Sequence, residues 1–204
     1  MKLLTTVSLF ACALSVPTPI DLVSRWIPDA ITANDIVDKA PCRPVTFIFA
    51  RGTGDVGNMG VGIGPKLAVE LEALLPGRIA VQGVNYPAWG LGNLLFGNSG
   101  GPEMAAHATQ ALTQCPKTKI LLGGFSQGGM VVHVAASKLG PGKVAAAVTF
   151  GDPLHADLVP NISNFRTYCA QGDIICGSQP FVLTAHGSYP NNAAEAAQFL
   201  VGGL

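Results

Sequence analysis

The sequence predicts an α/β fold, a three-layer sandwich with a five-stranded parallel sheet and helices on both faces. Two observations point there. Short apolar, β-branched runs alternate along the chain with stretches of helical spacing, the pattern of repeated βαβ units. Residues 119–129, Lys-Ile-Leu-Leu-Gly-Gly-Phe-Ser-Gln-Gly-Gly, pass from a buried strand through G-x-S-x-G towards a helix. That is the context a nucleophile elbow requires. With right-handed crossovers, five such strands fit the order 2-1-3-4-5.

Taken in order, residues 45–50 (Val-Thr-Phe-Ile-Phe-Ala) form a nearly continuous apolar run, as a strand buried on both faces should. A glycine-rich loop follows, Arg51-Gly-Thr-Gly-Asp-Val-Gly57. Helical spacing then sets Leu67, Leu71, Leu74 and Leu75 on one face of residues 65–75, and Pro76-Gly77 stops the helix. Residues 79–84 read as the second strand. Residues 85–101 carry Trp89, Leu91, Leu94, Leu95 and Phe96 but too many glycines for a helix, so they read as a long loop. Residues 102–114 open with proline in the first turn of a helix. The elbow strand, at 120–122, and its helix, at 130–139, come next, ended by Gly140-Pro141. A strand at 144–150 turns away through Gly151-Asp152-Pro153. A short last strand covers 165–169, and a closing helix covers 191–201.

A chain of 204 residues fits one catalytic domain, expected at 41–204. Only 12% of residues are charged, the formal net charge is zero and no basic run appears, which argues against a nucleic-acid or other polyanionic partner. Residues 1–16 read as a secretory signal: Lys2, an apolar stretch to Leu14, and Ala13-Leu14-Ser15 as a small-x-small cleavage site. That stretch is too short to span a bilayer, and no later one is long enough. Residues 17–40 read as a pro-segment or N-terminal arm. The expectation is a secreted, extracellular monomer with no transmembrane segment.

Cysteine usage agrees with secretion. Cys12 leaves with the signal, and Cys42, Cys115, Cys169 and Cys176 allow three pairings. We favour Cys169–Cys176, which closes a short local loop, and Cys42–Cys115, each a few residues before a strand at the same end of the sheet. No clustered His/Cys pattern suggests a metal, so neither metal nor cofactor is expected.

A serine nucleophile needs a base, and the base needs an orienting acid. In this architecture the chain order is Ser, Asp/Glu, His. Of four histidines, His107 precedes Ser126, and His133 lies within the elbow helix, where it reads as packed or surface. His155 follows a strand and is a rival. His186 sits in a loop before the closing helix and is the expected base. Asp152 has a ready explanation as a turn-former. Asp173, inside the loop from Cys169 to Cys176, would be held rigidly and is the expected acid. The oxyanion hole needs two converging donors. Gln127, just after the nucleophile, supplies one N–H, and Thr53 in the Arg51-Gly-Thr-Gly54 loop supplies the other. Gly52, Gly54 and Gly57 also spell a dinucleotide fingerprint. However, the second strand ends at Val84-Asn85 with no acidic residue to hold a ribose.

Together these residues resemble the fungal cutinase family of serine esterases. The resemblance covers residue 41 to the C-terminus. It is carried by Ala50-Arg-Gly-Thr53 with Gly57-Asn58, Cys115-Pro116, Gly124-Phe-Ser-Gln-Gly-Gly129, Phe150-Gly-Asp-Pro153, and Cys169, Asp173 and Cys176 before His186. It implies a cutinase-like α/β-hydrolase fold and ester hydrolysis through Ser126, His186 and Asp173. It also implies an oxyanion hole of Thr53 and Gln127, with Asn93 steadying the oxyanion hydroxyl, and the two disulfides as paired above. Family members often carry serine where Thr53 stands. The Tyr86-Pro-Ala88 segment also resembles the related acetylxylan esterases.

The expected function is therefore a secreted carboxylic ester hydrolase acting on cutin polyester and short-to-medium acyl esters. An apolar rim of Leu94, Leu95, Phe96, Phe181, Val182 and Leu183 would meet a waxy or lipid-like surface. The alternatives are an acetylxylan esterase of the same fold, and an inactive scaffold acting in surface binding or host recognition. Asn161-Ile-Ser163 is a glycosylation sequon.

Overall fold

A computed structural model describes residues 30–90, 95–177 and 184–204. The described residues contain the expected sheet: β1 (Val45–Ala50), β2 (Ile79–Gly83), β3 (Lys119–Phe125), β4 (Ala146–Phe150) and β5 (Phe165–Tyr168), all parallel, in the order β2-β1-β3-β4-β5. The helices are α1 (Ile63–Leu74), α2 (Gly101–Gln114), α3 (Gln127–Leu139) and α4 (Ala193–Gly202).

Strand alternation divides the core in two. Phe47, Phe49, Leu121, Val148 and Phe150 face α1 and α4, where Leu67, Leu71, Ala196 and Leu200 pack against them. Ile48, Ala50, Ile120, Leu122 and Ala147 face α2 and α3, against Met104, Ala108, Val131 and Val132. Covering a parallel sheet on both faces is what makes its strands apolar throughout. The edge at β2 is blunted by the N-terminal segment: Asp35 N–H donates to Val81 O at 3.1 Å, and the Gln82 side-chain oxygen accepts from Ile36 N at 3.0 Å.

Register matters more for function than the core does. Ala50 pairs with Gly124, Phe125 with Phe150, and Phe150 with Tyr168. Four strands thus end level, and their outgoing loops start from one edge, where ligands of such sheets bind.

Two element boundaries differ from expectation for one reason. Gly123 and Gly124 read as turn residues but belong to β3, and Gly128 and Gly129 belong to α3. These glycines permit close approach rather than a break. A Cβ on Gly123 would lie 2.8 Å from the Phe49 ring, and one on Gly128 would lie 2.0 Å from the Ala50 carbonyl oxygen. The closing helix starts at Ala193, after a one-turn 3₁₀ segment, Tyr189–Asn192, that sequence periodicity merged with it. The disulfides are Cys42–Cys115 and Cys169–Cys176.

Candidate active site

The site begins with backbone strain. Ser126 has φ 55° and ψ −119°, a conformation that L-residues rarely adopt and that nucleophile elbows use. Its flanking glycines are required: a Cβ on Gly124 would lie 2.1 Å from the Gly128 carbonyl oxygen. Ser126 N–H donates to Phe150 O at 2.8 Å, which ties the bend to the end of β4. The hydroxyl is thereby set at the N-terminus of α3, where the helix dipole favours negative charge.

The expected base and acid arrive from two loops. Asp173 is fully buried. Its Oδ1 accepts from Ile175 N–H at 2.9 Å, and its Oδ2 accepts from His186 Nδ1 at 2.8 Å. Burial alone would raise the carboxyl's pKa. Hydrogen bonds from Tyr189, His186 and Ile175 N–H outweigh it and hold the pKa below the usual carboxylate value. The Cys169–Cys176 bridge pins this loop. His186 is partly exposed, and its ring lies 4.8 Å from the Phe125 ring, the residue before the serine. A Cβ on Gly151 would meet His186 Cε1 at 2.7 Å and Asp173 Oδ2 at 2.9 Å. Gly151 is therefore the floor under the imidazole–carboxylate pair. The structure brings His186 and Asp173 together directly. Ser126 is linked to them through its neighbours: the Phe125 ring lies against His186, and Ser126 N–H donates to Phe150 O, next to Gly151.

The loop expected to supply an oxyanion donor is held from below. The buried Arg51 guanidinium donates from Nε to Asp55 O at 2.9 Å and from Nη2 to Tyr86 O at 2.7 Å, and it lies 5.0 Å from the centre of the Tyr86 ring. Gly52 N–H donates to Asp55 Oδ2 at 3.1 Å, and Gly54 N–H donates to Ala88 O at 2.9 Å. Thr53 stands exposed between these two anchored amides. The glycine pattern is accounted for without a nucleotide: a Cβ on Gly52 would strike the Phe125 ring at 2.7 Å, Gly54 has φ +76°, and a Cβ on Gly57 would lie 2.0 Å from Ile31 O. Gln127 is buried, and its side-chain amide donates to Trp89 O at 3.2 Å. As the first residue of α3, its backbone N–H has no carbonyl of the preceding turn to donate to.

Leu95 and Phe96 are exposed, at 53% and 61%, and Trp89 more so, at 71%. The backbone just after Leu95 and Phe96 runs close to α3, since a Cβ on Gly97 would lie 2.2 Å from Met130 O. The expected supporting Asn93 and the rim residues Leu94, Phe181, Val182 and Leu183 lie outside the described residues.

The sequence does not single out Tyr189. It is buried, donates its hydroxyl to Asp173 Oδ2, and accepts from Ala170 N–H at 3.0 Å. Burial, then the neighbouring Asp173 carboxylate, pushes its phenol well above the ordinary tyrosine value. No local spacing signals it: His186 and Tyr189 fall in two successive 3₁₀ turns, Ala185–Gly187 and Tyr189–Asn192, and Tyr189 reaches Asp173 only through packing. The sequence also leaves His133 and Asp152 unpaired, yet His133 Nε2 lies 3.0 Å from the fully buried Asp152 Oδ2. Asp152 does form its expected turn, through Oδ1 to Leu154 N–H at 2.9 Å.

Among the described residues, no group of His, Cys, Asp and Glu is placed to hold a metal ion, and no helix is long and apolar enough to cross a membrane.

Comparison with known proteins gives the family and the fold. The Cutinase family model matches residues 41–204. Cutinase 4 of Emericella nidulans is 54% identical over 170 residues, covering 83% of this chain and 76% of its own. A structure of Trichoderma reesei cutinase in complex with a C11Y4 phosphonate inhibitor superposes with a TM-score of 0.77 at 39% identity, covering 90% of this chain and 84% of that one. An acetyl xylan esterase structure, 21% identical with a TM-score of 0.59 over 78% of this chain and 98% of its own, shares the fold. The chain belongs to the cutinase family of carboxylic ester hydrolases.

Proposed function

We propose that this enzyme is secreted and hydrolyses the ester bonds of cutin polyester and of short-to-medium acyl esters through an acyl-enzyme on Ser126. His186 takes the Ser126 hydroxyl proton as Oγ attacks the ester carbonyl. Asp173 fixes the imidazole tautomer and stabilises its charged form. Thr53 and Gln127 hold the tetrahedral oxyanion. The carbon–oxygen bond to the alcohol breaks, and the proton passes from His186 to the departing oxygen. Water, activated by the same imidazole, then attacks the acyl-enzyme, releases the acid and restores the serine.

The observations that support this are the 2.8 Å His186–Asp173 hydrogen bond, the strained Ser126, and the His186 ring packed on Phe125, the residue before the serine. Ser126→Ala should abolish ester turnover, and an organophosphate should label the peptide holding Ser126. Unchanged turnover in Ser126→Ala would overturn Ser126 as the nucleophile, and a wild type inert on every ester would leave an inactive scaffold as the surviving view. Exposed Trp89, Leu95 and Phe96 favour a waxy surface over the acetyl groups of a polar xylan. Turnover of acetylated xylan exceeding that of butyrate and longer esters would reverse that preference.

A further inference from the structure

A trough opens beside the imidazole, with Asp55 of the loop that carries Thr53 on one wall. Its inner part, about 250 Å³, is lined by Phe125, His186 and Asp55 among others, and by Val61, Gly62 and Pro190. Its outer part, about 510 Å³, shares Val61, Gly62 and Pro190 and continues to Ile31, Val69 and Lys66. Together they fall within the roughly 300–1,000 Å³ of ordinary ligand pockets. Neither part touches Thr53 or Gln127.

We propose that this trough is the subsite for the alcohol-side chain of the ester, and that its occupant is a neutral, mainly apolar chain. The assignment rests on the acyl-enzyme chemistry above. In that chemistry the departing oxygen must lie against the group that protonates it, which is His186. The carbonyl oxygen lies against Thr53 and Gln127. A chain attached to the departing oxygen therefore leaves past the imidazole, along the trough that contacts it. The acyl chain runs the other way, towards Trp89, Leu95 and Phe96, where the Gln127 side chain meets the Trp89 carbonyl.

The walls specify the chain. Val61 is 65% exposed and Ile31 37%, and both would be covered by a passing chain. Asp55 is partly buried, and that burial raises its carboxyl above the ordinary value despite the Gly52 N–H and Arg51. Asp55 is the acid of the inner part, and in the outer part Glu70 offsets Lys66, so an alcohol carrying a carboxylate beside the imidazole is a poor occupant.

The test varies the two halves of the ester separately. Butyryl esters of methanol, butanol and octanol vary the alcohol, and methyl esters of butyrate, hexanoate and decanoate vary the acid. Val61→Asp is compared with Leu158→Asp, which changes an exposed residue outside the trough. In Val61→Asp the octyl-to-methyl ratio of kcat/KM should fall about tenfold, as about two methylenes lose their burial. Leu158→Asp should keep the wild-type ratio. Acyl transfer supplies a second readout that needs no variant. By microscopic reversibility an acceptor alcohol occupies the leaving-group subsite, so wild-type butyryl-enzyme should partition to octanol over methanol at equal concentration. A ratio indifferent to Val61→Asp, or a change in the acyl-length profile instead, overturns the assignment, as does an acceptor partition without chain-length preference. A wild type inert on every ester sinks the acyl-enzyme reading beneath it. An active wild type with indifferent alcohol specificity sinks the subsite alone.

Discussion

Tyr189 Oη and His186 Nδ1 donate to the same oxygen of Asp173. The carboxylate thereby takes three hydrogen bonds, since Ile175 N–H fills Oδ1 at 2.9 Å. A buried acid so supplied stays ionised and cannot rotate away from the base.

Tyr189→Phe removes one of those donors with little change of shape. A hydrogen bond to a charged group contributes roughly 1.5–3 kcal/mol, and that is the expected loss of stability at neutral pH. The sign with pH follows from the lowered Asp173 pKa. Its contribution is fully present above the unfolded value of about 3.9 and is lost as pH falls through the folded value. The gap between wild type and Tyr189→Phe should therefore close as acid is added. Urea unfolding at pH 7 and in increasingly acidic buffers measures it. A gap constant across that range would mean the phenol acts only by packing.

Two histidine–carboxylate pairs should serve different ends. His186–Asp173, at 2.8 Å, faces the elbow, while His133–Asp152, at 3.0 Å, sits under α3. Asp173→Asn should lower kcat by about 10⁴-fold, by leaving the base in the wrong tautomer. His133→Ala strands a buried carboxylate, and about 3–5 kcal/mol of stability should go with it. Activity per folded molecule should survive in the second variant and not in the first. Denaturant titration paired with active-site counting separates the two losses.

How much of this was legible follows from where each signal lies along the chain. The elbow lies in consecutive residues, so Ser126 and its flanking glycines stand out locally. Asp173 is bracketed by Cys169 and Cys176, a pattern that suggests a pinned carboxylate. The sheet order follows from strand–helix alternation and crossover handedness. Tyr189 and the His133–Asp152 pair were not legible, because each partnership closes only once distant elements pack. Gly123 and Gly128 mislead for the same reason: what demands a glycine there is a neighbouring strand, Phe49 or Ala50, and not a turn.

The two disulfides should fail differently. In the chain-entropy picture, opening the Cys42–Cys115 loop, with 73 residues of separation, removes about 4.4 kcal/mol. Opening Cys169–Cys176, with a separation of 7, removes about 2.5 kcal/mol. The smaller loop holds Asp173, so its paired Cys→Ser variant should lose more kcat and less stability than the larger loop's variant. Thermal unfolding and kcat, measured on both double variants, should rank them in opposite orders.

Gly151 offers a test of how tightly the floor of the site is built. Its φ is +54°, and a methyl group there would press within 2.7 Å of His186 Cε1 and 2.9 Å of Asp173 Oδ2. Gly142 has φ +74°, but a methyl group there meets nothing within 4 Å. Alanine at either position should cost roughly 1–2 kcal/mol of stability, the price of a positive φ for an L-residue. Only Gly151→Ala should wedge the imidazole away from its carboxylate, and a misplacement on the order of 1 Å lowers turnover about 10²-fold. The pair thus holds backbone strain constant and varies the clash alone. If both alanines lower kcat equally, strain spreads through the domain, and Gly151 has no special hold on His186. If Gly151→Ala alone falls, the floor of the site sets the position of the base.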